Sequence, residues 1–173
     1  MTRPLVAMLL AVAVACGRES RADDVDYEHV LPFDTASVRI AARKDTTRVT
    51  VLLAESQEQH TLGLMERRSL APNAGMLFLY PATQPATAGY WMFRTRIPLD
   101  IAFVDRTGLI RSILTMQPCT SDLAMGCPTY PPGAAYRATL EANAGFFARI
   151  GARVGDRVLL GDTVSRRRGA RGR

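Results

Sequence analysis

Between residues 35 and 162 the apolar residues come in short runs separated by turn-forming residues, a pattern that argues for sheet. Val38 and Ile40 alternate with polar neighbours over residues 36–42, as in a half-buried strand. Residues 49–54 form a second apolar run, rich in β-branched side chains. A third, over residues 76–80, stops before Pro81, and the segment PATQPATAG that follows reads as a loop. Residues 89–93 are aromatic and strand-like, and residues 99–104 are apolar again. Asp105-Arg106-Thr107-Gly108 has Asp first and Gly last, which suits a type I turn. Residues 109–116 then return as the second arm of a hairpin, and residues 136–141 and 157–160 supply the last strands. Two short helices interrupt the strands. Ser56 with Gln59 fits a capping box for a helix that starts at Gln57 and ends near Gly63. Asn143 suits the cap of a helix over residues 144–150, closed by Gly151.

The predicted fold class is therefore α+β in a single domain: a mostly antiparallel sheet, curled or closed into a small barrel, with two short helices. No strand–helix–strand array, GxGxxG or phosphate loop is present in the sequence, which excludes Rossmann and NTPase readings.

The chain opens differently from this body. Arg3 precedes an apolar run over residues 5–15, and Ala15 is a small residue at a cleavage point, the layout of a secretory signal. The run is shorter than the roughly 20 apolar residues needed to span a bilayer. Ala13-Val14-Ala15-Cys16 resembles the lipobox of bacterial lipoproteins, with Ala13 where Leu is more usual. That resemblance implies a signal peptide over residues 1–15 and a lipidated Cys16 as membrane anchor. Residues 16–34 are polar, hold Asp23, Asp24, Asp26 and Glu28, and read as a flexible tether. The globular domain is expected over residues 35–162, and residues 163–173 read as a disordered Arg-rich tail. The expected location is the bacterial cell envelope, membrane-anchored and facing the periplasm or exterior.

The formal net charge of +6 misleads about partners. Arg3 leaves with the signal, and Arg166, Arg167, Arg168, Arg171 and Arg173 lie in the tail. Between residues 17 and 165, 16 basic residues face 16 acidic ones, so the body has no excess field for nucleic acid.

Cysteine usage agrees with export. With Cys16 lipidated, Cys119 and Cys127 remain as a pair eight positions apart, and an oxidising compartment lets them bond. They sit in a long loop, residues 117–135, stiffened by Pro118, Pro128, Pro131 and Pro132. The predicted disulfide pins this loop beside the 91–100 edge and leaves Asp122-Leu123-Ala124-Met125 as its solvent-facing tip.

Four motifs carry a wider resemblance: GLMERRSL at residues 63–70, GMLFLY at 75–80, WMFRTRIPLDIAFVD at 91–105, and LEANAGFFARIGARVGDRV at 140–158. In this order and spacing they resemble a bacterial and archaeal family catalogued as domain of unknown function 192. That family usually carries Lys-Asn after Trp-Met, where this chain has Phe93-Arg94. The resemblance implies a fold more than an activity.

Two carboxylates stand out within these motifs. Asp100 opens a strand after Ile97-Pro98-Leu99, and Glu141 ends one before a helix. If the strands are neighbours, the pair can face one site and do acid–base work, provided their environments push their pKa values apart. Alternatively, each is held by a backbone N–H or by an arginine such as Arg67 or Arg94. Tyr80, Tyr90, Trp91 and Phe93 offer a stacking platform or simply core. The candidate ligand-binding residues are Arg67, Trp91, Arg94, Asp100, Tyr130 and Glu141. His29 and His60 lack metal-ligand spacing, the methionines read as core, and no GxSxG elbow supports a triad, so no metal or cofactor is expected. Two functions stay open: a lipid-anchored binding or structural module for an unknown envelope ligand or protein, or an envelope hydrolase or transferase using Asp100 and Glu141.

Overall fold

The computed structural model describes residues 33–160. The signal-like start, Cys16, most of the expected tether and the Arg-rich tail lie outside the described residues. In chain order the elements are β1 Asp34–Ala41, β2 Thr46–Ala54, α1 Gln57–Leu62, β3 Ala74–Gln84, β4 Tyr90–Trp91 and β5 Leu99–Val104. They continue with β6 Ile110–Met116, β7 Thr129–Tyr130, β8 Tyr136–Asn143, α2 Phe146–Arg149 and β9 Arg157–Leu160.

Seven strands form one sheet in the order β6-β5-β8-β3-β2-β1-β9, while β4 and β7 pair in a separate ribbon. The sheet curls into a half-barrel until its two edges approach each other. Leu109 bridges to Arg157, Ile110 N donates to Asp156 O at 2.9 Å, and Val158 N donates to Gly108 O at 2.8 Å. Such lacing shields edges that would otherwise template aggregation. The helices span only six and four residues, so the molecule is mostly sheet and the α+β label fits loosely.

Local chemistry explains the boundaries. Asp105 Oδ1 accepts from Thr107 N and Leu109 N, and Gly108 N donates to Asp105 O at 3.0 Å, closing the hairpin between β5 and β6. Ser56 and Gln59 form the expected reciprocal capping box on α1. Three local expectations are corrected. Strand β3 does not stop at Pro81 but continues to Gln84, because the register against β8 breaks between Leu79 and Gln84 and the irregularity absorbs the proline. Asn143 does not cap α2: the N-cap is Gly145, and the Asn143 amide donates instead to Leu70 O and Ala71 O. Strands β2 and β3 run parallel, joined by a crossover through α1, so one strand–helix–strand unit exists.

The central strands are apolar on both faces because both are covered. One face carries Leu77, Ala102 and Leu140, packed with Val38, Ile40, Val49 and Val51 and closed by Phe146 and Phe147. The other carries Met76, Phe78, Leu99, Ile101 and Phe103, covered by Leu64, Met92, Met116 and Tyr136.

The loop over residues 117–135 lies against this second layer. Cys119 N donates to Met92 O at 3.3 Å, and β7 pairs Tyr130 with Tyr90. Cys119 and Cys127 are disulfide-bonded with their Cα atoms 5.6 Å apart. Leu123 and Met125 at the tip are 65% and 89% exposed, so apolar burial anchors the tip little. The cross-link, worth about 2–3 kcal/mol in the chain-entropy model, is the larger restraint there.

Candidate functional site

Among the described residues, Glu141 stands apart. Strand β8 lies between β5 and β3, and its register pairs Glu141 with Ile101 on one side and Met76 on the other. Paired residues share a face, so Glu141 points into the layer that holds Phe78, Ile101 and Phe103. It is 4% exposed. Burial alone raises its carboxyl from the ordinary 4.5 to about 8. Among the described residues no hydrogen bond reaches that carboxyl, and no buried side-chain N or O lacks both a partner and access to open space.

The open space is a cavity of about 40 Å³, lined by residues of α1 and the segment after it (His60 to Met65), by Phe78, Tyr90, Trp91, Phe93 and Thr95, and by Glu141. On the scale where one water needs about 10–15 Å³, this holds about three small atomic groups. The walls come from the crossover. Helix α1 leaves β2, is capped by Ser56, and stops at Gly63, whose φ of 49° most side chains would resist. The 63–70 segment then clasps the 91–98 segment. Glu66 N donates to Arg94 O at 2.8 Å, and the Arg96 guanidinium pairs with the Glu66 carboxylate at 2.6 Å. Both ends of that backbone bond are left-handed, Glu66 at φ 61° and Arg94 at φ 54°. Asn is among the residues that accept this conformation best, which accounts physically for the Asn usual at the Arg94 position in the resembling family.

A chain of hydroxyls runs behind the wall residue Tyr90. Tyr80 Oη and Tyr90 Oη lie 2.5 Å apart, and Tyr90 Oη lies 2.6 Å from Thr139 Oγ1, two residues before Glu141 on the same face of β8. Burial holds the Tyr90 hydroxyl well above its usual pKa, and the nearby Tyr80 and Glu141 push the same way. Tyr80 is raised for the same first reason, burial. His60 Nε2 lies 3.0 Å from Ala54 O. A carbonyl only accepts, so that nitrogen carries the proton. The His60 ring packs against Tyr80 with centroids 4.6 Å apart.

The predicted site residues divide. Trp91, 42% exposed, stands at the rim of the Glu141 cavity. Asp100 does not join it. It pairs with Ala142 and Thr115, one position out of step with Glu141, so it faces the opposite layer, and its Oδ1 accepts from Thr115 Oγ1 at 2.7 Å. The acid–base pair of Asp100 and Glu141 is therefore not assembled: a one-residue offset turns the side chains to opposite faces. Arg94 lies outside the cavity with its guanidinium 5.3 Å over the Phe93 ring. Arg67, half-buried, is also not a wall residue. Tyr130 is a brace: its hydroxyl accepts from Gln117 N at 3.1 Å. Sequence reasoning passed over His60, Phe78 and Thr95. The signal available was the GLMERRSL motif itself, whose first glycine ends the helix carrying His60.

A wider hollow of about 440 Å³ is lined by Thr83, Asp105, Arg106, Thr107, Arg111, Ala135 and Tyr136. Its carboxylate is already answered, with Arg111 3.7 Å from Asp105. Size therefore favours that hollow, but the unmet polar group lies in the smaller cavity, and unmet polarity is the better sign of a ligand. Among the described residues, no three His, Cys, Asp or Glu side chains group as metal ligands.

Comparison with known proteins places these features in a family. A crystal structure from Sinorhizobium meliloti 1021, of a protein provisionally described as a transcription regulator, is similar with a TM-score of 0.67 and 34% identity. The match covers 74% of this chain and 95% of that one. A protein of unknown function from Novosphingobium aromaticivorans DSM 12444 is similar with a TM-score of 0.60 and 30% identity, over 72% of this chain and 84% of that one. No curated protein matches the chain. The family model for domain of unknown function 192 (DUF192), described as "Uncharacterized ACR", matches residues 38–160 and so spans all four motifs and every wall of the Glu141 cavity. The chain belongs to the DUF192 family.

Proposed function

We propose that this chain is a non-catalytic binding module of the bacterial cell envelope, with the Glu141 cavity as its ligand site. The observation that carries the reading is a carboxyl 4% exposed, without a hydrogen-bond partner among the described residues, at a cavity rimmed by an exposed tryptophan. A fold does not keep such a group for stability, since a buried carboxyl without a protein partner costs free energy whether it holds its charge or takes up a proton. The ligand supplies the missing partner.

The envelope location draws on the signal-like start and the lipobox resemblance at Cys16, and the Cys119–Cys127 bond suits an oxidising compartment. The regulator description of the Sinorhizobium relative is not carried over, because the charge balance between residues 17 and 165 offers nothing to nucleic acid. The hydrolase or transferase reading loses its acid–base pair with Asp100 on the opposite face.

The test is amide chemical-shift mapping on the full chain against a fragment set of cations, anions and neutral polar molecules. Shifts converging on Leu64, Trp91, Thr95 and Glu141 are expected. A set in which no fragment perturbs those residues overturns the reading. Fatty-acid labelling of wild type and Cys16→Ala checks the anchor, and equal label in both would remove it.

A further inference from the structure

We infer that the Glu141 cavity takes a primary alkylammonium group, whose charge pairs with the Glu141 carboxylate while its first methylenes lie among Phe78, Tyr90, Trp91 and Phe93. This rests on the binding-module reading and names its ligand class.

Charge narrows the ligand first. Among the described residues, the cavity wall contains no Lys or Arg side chain, and Glu141 is its only carboxyl. Of the neighbouring cations, Arg96 is held by Glu66, and Arg94 lies over the Phe93 ring without entering the wall. An anion would therefore meet a buried carboxyl with no counter-charge, whereas a cation meets its complement. Phe78, Tyr90 and Trp91 add aromatic surfaces, which attract cations held over their faces.

Size narrows it next. The enclosed part has room for about three small groups, which admits an ammonium and one or two methylenes, while anything bulkier extends past the open mouth. A slender chain ending in –NH₃⁺ fits and leaves its remainder at the Trp91 rim. The other ionisable groups near Glu141 are Tyr80 on β3, Tyr90 on β4 and His60 on α1. The tyrosines stay neutral, their hydroxyls being raised by burial. His60 has its Nε2 proton committed to Ala54 O.

Binding is then coupled to a proton. Free Glu141 is mostly protonated at neutral pH, and the ammonium must displace that proton to form the ion pair. An alkylamine stays charged up to about pH 10. Apparent affinity should therefore rise about fifty-fold between pH 6 and pH 8, as the ionised fraction of Glu141 grows from about one in a hundred to about one half.

The experiment titrates the full chain with n-butylammonium, with Nα-acetyl-lysine N-methylamide and with 1-butanol, at pH 6 and pH 8, following the Trp91 and Thr95 amide signals. Butylammonium should bind with that pH rise, with or without the lysine derivative, and the alcohol should bind at least tenfold more weakly at pH 8. If butylammonium alone binds, the source is a free amine. If the lysine derivative binds as well, it is a lysine side chain. Either supports the shared chemistry. Glu141→Gln should abolish the pH dependence and weaken ammonium binding at least tenfold at pH 8. Trp91→Ala, on the exposed rim, should weaken binding while leaving the pH dependence. If 1-butanol binds as well as the amine, or amine binding is flat with pH, the ammonium assignment falls while the binding module stands. If these probes and the wider fragment set all leave the cavity untouched, both fall.

Discussion

At Glu141 the chemistry of one side chain works against the fold that surrounds it. Its folded pKa, about 8, lies above the ordinary 4.5, so the native state holds its proton longer than the unfolded state does. Stability is therefore undiminished below about pH 4.5, falls as pH rises towards 8, and levels off above that. A difference of this size corresponds to up to roughly 4–5 kcal/mol lost across the window. Glu141→Gln keeps the shape and removes the titration. The variant should match wild type at pH 4 and exceed it by several kcal/mol at pH 9, read from urea denaturation at both values. Parallel stability curves for the two proteins would mean that Glu141 ionises freely in the native state. A residue that lowers stability at neutral pH, set in a cavity wall, is where a protein departs from packing rules for the sake of a ligand.

Among the elements, the pairing of β3 with β8 sets the position of Glu141, and Gly75 makes that pairing possible. A Cβ built on Gly75 would lie 2.1 Å from the Glu141 carbonyl oxygen and 3.2 Å from its carbonyl carbon. Neither strand can give way without moving the other. Gly75→Ala should cost at least about 3 kcal/mol in chemical denaturation, and a loss under about 1 kcal/mol would contradict the close approach. The 119–127 loop is held differently. Reducing the disulfide, or replacing Cys119 and Cys127 by serine, should lower stability by about 2–3 kcal/mol while leaving the sheet folded by circular dichroism. An unchanged denaturation midpoint would show that the loop is held by its other contacts. Element types were largely legible where local chemistry decides them. Leu99–Val104 is uniformly apolar between Pro98 and Asp105, and Ser56 with Gln59 announces α1. The parallel β2–β3 pair was not legible, because strand direction in a sheet depends on which strands become neighbours, and no local pattern states that. Asn143 was misread because its amide had a better use, joining the strand to Leu70 and Ala71 seventy-odd residues away.

For the whole molecule, the curled sheet divides the side chains of its central strands between two cores, and the cavity exists because α1 and the 91–98 segment close over only one of them. Sequence alone picked out Glu141 and Asp100 as the carboxylates of interest and Trp91 and Tyr130 as the aromatics, of which only Trp91 lies at the cavity. It did not separate the two acids. Strands covered on both faces are apolar throughout, so alternation does not say which layer a carboxylate enters. Only the register does, and it sets Asp100 one step from Glu141. The proposed binding role requires Glu141 to be a buried acid without a protein partner among the described residues, ready for one from outside. The most direct test is a ¹³C titration of the Glu141 side-chain carboxyl in the ligand-free protein. A midpoint near pH 8, with the signal absent in Glu141→Gln, is predicted. A midpoint in the ordinary carboxylate range near 4.5 would mean the group is solvated or already paired, and would contradict the account.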